Sequence, residues 1–171
     1  MKKVIAILLL VCVVFSGCSM LMKADVTEKA FSIATYDLQL TADSTFYENT
    51  GGSFDLQITN DHAYISIMAY KYIDLPEDLT PQDVYDMQNE DLFSRRTAVA
   101  VIEETEELSQ NITGGLYSAE KDGVKNYYAT YLVDLPQEET LAWVLVTSTP
   151  SYLEANREYL YDIVRSLKTA E

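Results

Sequence analysis

Apolar residues along this chain change their period several times, and each change predicts an element. From Ala30, "AFSIATYDLQLTAD" places Phe31 and Ile33, then Tyr36, Leu38 and Leu40, at alternate positions. Alternation of this kind reads as a half-buried strand. The phase slips near Thr35, which predicts a bend or bulge. Asn49 to Gly52, "NTGG", breaks the chain; Phe54, Leu56 and Ile58 then alternate, Asn60-Asp61 turns, and "AYISIMAYKY" returns as a further strand. This succession is the pattern of antiparallel hairpins.

The period then lengthens. "LTPQDVYDMQNEDLFSRR" offers Thr80 as an N-cap, Pro81 at the first helical position and Asp83 in the first turn, all features of a helix start. Val84, Met87 and Leu92 are expected roughly on one face, with Tyr85 and Phe93 beside them, and Arg95-Arg96 sits where cations suit the helix dipole. "TAVAVIEETEEL" reads as a strand, apolar first and acidic after. "GLYSAEKDGVKNYYATYLVDL" is a hairpin about Asp122-Gly123, a pair that accepts positive φ. "ETLAWVLVTST" is almost wholly apolar, which predicts a central strand covered on both faces. In "TPSYLEANREYLYDIVRSLK", Ser151 and Glu154 suggest a capping box. Leu153, Leu160, Ile163, Val164 and Leu167 form an apolar stripe. "IDLPED" and "VDLPQE" each end a strand at a proline, which cannot donate to the ladder. The expected architecture is α+β: an antiparallel sheet of about six or seven strands flanked by two main helices.

The amino terminus follows other rules. Lys2-Lys3 precede an uncharged run from Val4 to Phe15, and Ser16-Gly17 are small. This is the layout of a secretory signal peptide, and the run is too short to cross about 30 Å of hydrocarbon. Phe15-Ser16-Gly17-Cys18 resembles the lipobox of bacterial lipoproteins, with Phe15 standing where that family prefers Leu. The resemblance implies cleavage between Gly17 and Cys18 and a diacylglycerol thioether on the Cys18 sulfur. Two acyl chains anchor a protein stably where one does not. Residues 1–17 are then the signal peptide, 18–29 a lipidated tether spanning about 18 Å, and 30–171 one globular domain. Cleavage would remove Cys12, leaving the capped Cys18 as the single cysteine, so no internal disulfide is expected.

Charge narrows the partners. The whole chain carries 12 Lys and Arg against 27 Asp and Glu, and Lys2 and Lys3 are lost with the signal peptide. So acidic a domain is repelled by nucleic acid phosphates and by anionic lipid headgroups. It is expected on the extracytoplasmic side of a cell membrane, held by its lipid.

Candidate chemistry is sparse. His62, the single histidine, lies in the "NDHA" turn without the partners a triad or a histidine-based metal site requires. Glu103 to Glu107 form the densest acidic cluster; on a regular strand, Glu104 and Glu106 share one face, while Glu103, Thr105 and Glu107 share the other. No calcium-loop spacing accompanies them, and neither a catalytic residue, a metal site nor a cofactor is expected. The 13 tyrosines are the more pointed feature. Tyr70 and Tyr72 alternate on one strand, as do Tyr127 and Tyr131 opposite Tyr128. Such side chains favour binding surfaces, so a protein or glycan partner on a tyrosine-rich face is the expectation.

The order of elements, from "SIATYDLQL" through "DSTFYE", "LTPQDVYDMQ" and the long hairpin to "IVRSLK", resembles the PsbP-like superfamily. That superfamily takes in PsbP, the Ran-binding Mog factor and DcrB-type lipoproteins. The resemblance implies an antiparallel sheet sandwiched by helices and a non-enzymatic accessory or binding role. The alternative is a carboxylate-dependent hydrolase acting on envelope glycans, which needs two acids facing one another in a cleft.

Overall fold

The computed structural model describes residues 26–170; Gly17, Cys18 and the expected signal peptide lie outside them. The first two strands, β1 (Glu28–Ile33) and β2 (Leu38–Asp43), form an antiparallel pair with Glu28 opposite Asp43. Glu28 and Lys29, grouped with the tether by composition, therefore belong to β1. The phase slip near Thr35 is not a bend within one strand but the turn between two. The Tyr36 N–H donates to the Ile33 carbonyl at 3.0 Å, and Asp37 closes the turn at φ 55°.

The main sheet has seven antiparallel strands: β3 (Tyr47–Glu48), β4 (Leu56–Thr59), β5 (Ala63–Lys71), β6 (Thr97–Ser109), β7 (Ile112–Lys121), β8 (Val124–Leu135) and β9 (Thr140–Ser148). Their spatial order is β3-β4-β5-β9-β8-β7-β6. After β5 the chain crosses one sheet face as α1 (Pro81–Ser94), reaches the far edge at β6, and walks back to seat β9 beside β5. The apolar β9 is thus central, as its composition requires. Leu141, Trp143 and Leu145 point to α1, while Ala142, Val144 and Val146 point to the opposite face. The β7–β8 turn sits at Asp122 and Gly123, at φ 53° and 76°. Both angles belong to the left-handed region that a two-residue hairpin turn demands. Pro136 stops β8 as expected and opens a 3₁₀ turn, Pro136–Glu138, whereas β5 ends at Lys71, ahead of Pro76, and passes into a 3₁₀ turn over Tyr72–Asp74.

Thr80 caps α1 in a full capping box with Asp83. The helix buries Val84, Tyr85, Asn89 and Leu92, whereas Met87 is 53% exposed and does not join the expected face. Tyr85, Asn89 and Leu92 mark the stripe at i, i+4 and i+7, and Met87 falls off it. The polar member is held by the indole of Trp143, which donates to Asn89 Oδ1 at 3.2 Å.

The second helix, α2 (Pro150–Arg165), lies on the other face. Its N-cap is Thr149, and no side chain bonds there. Ser151 lies inside the first turn, so the expected capping box with Glu154 does not form. The apolar stripe is buried as its spacing predicts. Beyond α2, β10 (Lys168–Thr169) pairs with β2 and completes a second, three-stranded sheet, β1-β2-β10, which the hydrophobic pattern did not reveal. Ser166 fastens this junction: its Oγ accepts from the Thr41 N–H at 2.8 Å and donates to the Thr41 carbonyl at 3.1 Å.

Candidate functional site

Helix α1 stops short of the end of the sheet, and the uncovered face beyond it is a groove of about 720 Å³, within the range typical of ligand sites. Strand pairing sets its floor. Tyr64 on β5 lies opposite Thr147 on β9, which lies opposite Tyr128 on β8. One row further in, Ser66 accepts from Gln57 Nε2 at 2.8 Å. Tyr47 and Tyr64 are 55% and 49% exposed at its rim. The mixture of aromatic area and amide groups suits recognition better than catalysis.

Arg96 stands at the helix end of this groove. Its guanidinium carbon lies 4.6 Å from the ring centre of Tyr128, a cation–π arrangement, and the same group donates to the Leu92 carbonyl. Phe93 meets the Tyr128 ring edge-on at 5.9 Å between centres. Arg96 Nε is buried with no hydrogen-bond partner, and a buried unsatisfied donor costs about 1–3 kcal/mol. Arg95, Arg157 and Arg165 each pair with a carboxylate; among the described residues Arg96 pairs with none. No feature of the sequence separates it from Arg95.

His62 occupies the β4–β5 turn at the opposite wall. Asn60 Oδ1 accepts from the His62 and Ala63 N–H groups at 2.9 and 2.8 Å. Ser148 Oγ donates to the His62 carbonyl at 2.7 Å. The imidazole stacks on Tyr152, 4.8 Å between centres, and separates the groove from a shallower hollow where Tyr159 donates to Asp43. Burial, and then that bond, raise the Tyr159 pKa. At Asp43, burial would raise the pKa, but the Thr45 and Tyr159 hydroxyls outweigh it and lower it.

The acidic cluster lies elsewhere, on the α2 face of edge strand β6. Register shifts on both sides of Glu103 break the expected alternation. Thr105 turns toward α1, where its Oγ1 is 3.0 Å from the Tyr117 hydroxyl. Glu103, Glu104 and Glu106 all line a hollow of about 240 Å³ with Arg157, Tyr131 and Tyr161. Both Glu103 oxygens accept from Arg157. Glu104 and Glu106 are exposed at the rim. Gly114 makes room for the Tyr131 ring, since a Cβ there would meet Tyr131 Cδ1 at 2.6 Å. Burial pushes the Tyr131 phenol up to about 12 against the lowering charge of Arg157. Among the described residues, no three Asp, Glu, His or Cys side chains converge in a way that could hold a metal ion.

The tyrosines do not share a face. Tyr70, Tyr72 and Tyr128 belong to the α1 side, and Tyr127 and Tyr131 to the α2 side. Of the five marked by the sequence, only Tyr128 lines the groove; Tyr47 and Tyr64 join it there.

No family model and no curated protein matches the chain. Solved structures do. The Ran-binding protein Mog1p of Saccharomyces cerevisiae is similar at 13% identity and TM-score 0.58, over 86% of this chain and 97% of that one. Cyanobacterial PsbP (CyanoP) from Synechocystis is similar at 10% identity and TM-score 0.61, over 86% and 95%. LpqN of Mycobacterium tuberculosis, involved in cell envelope biogenesis, is similar at 11% identity and TM-score 0.57, over 86% and 92%. At these identities the likeness is one of fold: this is an α+β domain folded like Mog1p and PsbP.

Proposed function

We propose that this chain is a non-enzymatic binding or accessory protein of a bacterial cell envelope, tied by lipid on Cys18 to the extracytoplasmic side of a membrane. The groove over Tyr64 and Tyr128 is its binding face. The observation that carries the reading is that groove: aromatic and amide side chains left uncovered where α1 ends, beside an arginine that pairs with no carboxylate among the described residues. The lipobox-like Phe15–Cys18 supports the location, as does the shared fold with LpqN. No helix among the described residues is long and apolar enough to cross a membrane.

The test is photo-crosslinking in intact membranes. A crosslinker at Tyr64 captures a partner, and one at Met87, exposed on α1 outside the groove, does not; equal capture from both positions refutes the binding face. A Cys18→Ser variant leaves the membrane fraction on alkaline washing, and its retention there refutes the anchor.

A further inference from the structure

We infer that the groove binds an acidic segment of a partner polypeptide, with one ligand carboxylate seated on Arg96 and a second drawn to Lys121. This rests on the groove being the binding face and names what it takes.

The first argument is the isolation of Arg96. In a chain with 27 acids and 12 bases, a guanidinium readily finds a carboxylate, and the other three arginines do. Among the described residues Arg96 instead touches a carbonyl and a ring. The second argument is its fixed pose. With Tyr128 beneath it and the Leu92 carbonyl holding one amino group, the rest of the guanidinium fork is oriented in advance. A planar fork held in a fixed pose suits a carboxylate.

The groove also has a charge gradient. Lys121, exposed at the β7–β8 turn, lines the same side as Arg96, whereas Asp61 lies across the floor in the β4–β5 turn and pairs with neither. A bound segment therefore directs its acids toward the β7–β8 side. Asn126 offers an amide to its backbone, and half-exposed Tyr64 and Tyr47 offer area to its apolar side chains. Tyrosine and arginine are the residues that dominate protein interfaces. The acidic exterior opposes such a ligand at long range, so recognition depends on these two local cations.

The experiment pans the purified lipidated protein, in detergent, against a random peptide display library. Recovered peptides share Asp or Glu, and changing those residues to Asn or Gln weakens binding about tenfold or more. Arg96→Gln weakens it to a similar degree. Should that variant unfold, Lys121→Gln decides, with a several-fold loss at unchanged melting temperature. Recovery of no peptides, of peptides without acids, or of peptides indifferent to both substitutions overturns the inference, as does Arg96-dependent binding of a uronic-acid oligosaccharide in place of peptide. A partner captured at Tyr64 through a segment lacking acids removes this inference and leaves the binding face standing.

Discussion

The hydroxyl of Tyr85 on α1 lies 2.8 Å from that of Thr130 on β8, at a point where both side chains are fully buried. The contact extends to Thr105 on β6 at 3.3 Å and through it to Tyr117 on β7. Helix α1 is thus registered on three strands by hydroxyls, and on β9 by the bond between Asn89 and Trp143. Its far end, which carries Arg96 to the groove, inherits that placement.

Tyr85→Phe keeps the ring and strands the buried Thr130 hydroxyl. The expected loss is about 1–3 kcal/mol, read from the denaturant midpoint at unchanged slope. A loss below about 0.5 kcal/mol, the ordinary scatter of surface substitutions, contradicts the assigned role.

Gly114→Ala places a methyl against Tyr131 Cδ1 and, at 3.0 Å, the Thr130 carbonyl. The backbone oxygen cannot swing aside, so overpacking of about 1–3 kcal/mol is expected. The double variant Gly114→Ala with Tyr131→Leu recovers part of that loss. No recovery means the ring is not what the glycine accommodates.

The two helix starts separate cleanly. The Thr80 hydroxyl accepts from the Asp83 N–H, and the Thr80 N–H donates to the Asp83 carboxylate in return, so Thr80→Ala destabilises by about 1 kcal/mol. Ser151 makes no cap bond, and Ser151→Ala stays within about 0.5 kcal/mol. Thermal melts of both variants check the pair; equal losses contradict it.

Alkali probes Tyr131. Its folded pKa, about 12, stands above the ordinary phenol value of about 10, so the native state holds the proton longer than the unfolded one. The contribution is whole below about pH 10 and is lost as pH rises toward 12, a change on the order of 2–3 kcal/mol. Stability measured across that window falls more steeply in the parent than in Tyr131→Phe. Identical slopes refute the assignment.

Much of the fold is legible in the hydrophobic pattern because burial on a strand or helix repeats with a fixed period. The central β9, the Asp122-Gly123 turn and the Thr80 cap all follow from local residue types. The pattern misleads where a polar side chain is buried. Asn89 occupies a core position because an indole on another strand satisfies it, and no local signal reports that bond. It misleads again at β6, where register shifts turn Glu103 to the face of its neighbours, and at the carboxyl end, where two residues join β2 over a long sequence separation.

The sequence by itself determined the α+β class, the acidic surface and the signal-like amino terminus, since each depends on composition or on neighbours within a few residues. The groove was decided only by the tertiary structure. Tyr47, Tyr64, Lys121 and Tyr128 come from four different strands, and Arg96 from the connection between α1 and β6. Their meeting depends on strand order and on where α1 ends over the sheet, which are long-range packing relations that no short window of residues encodes.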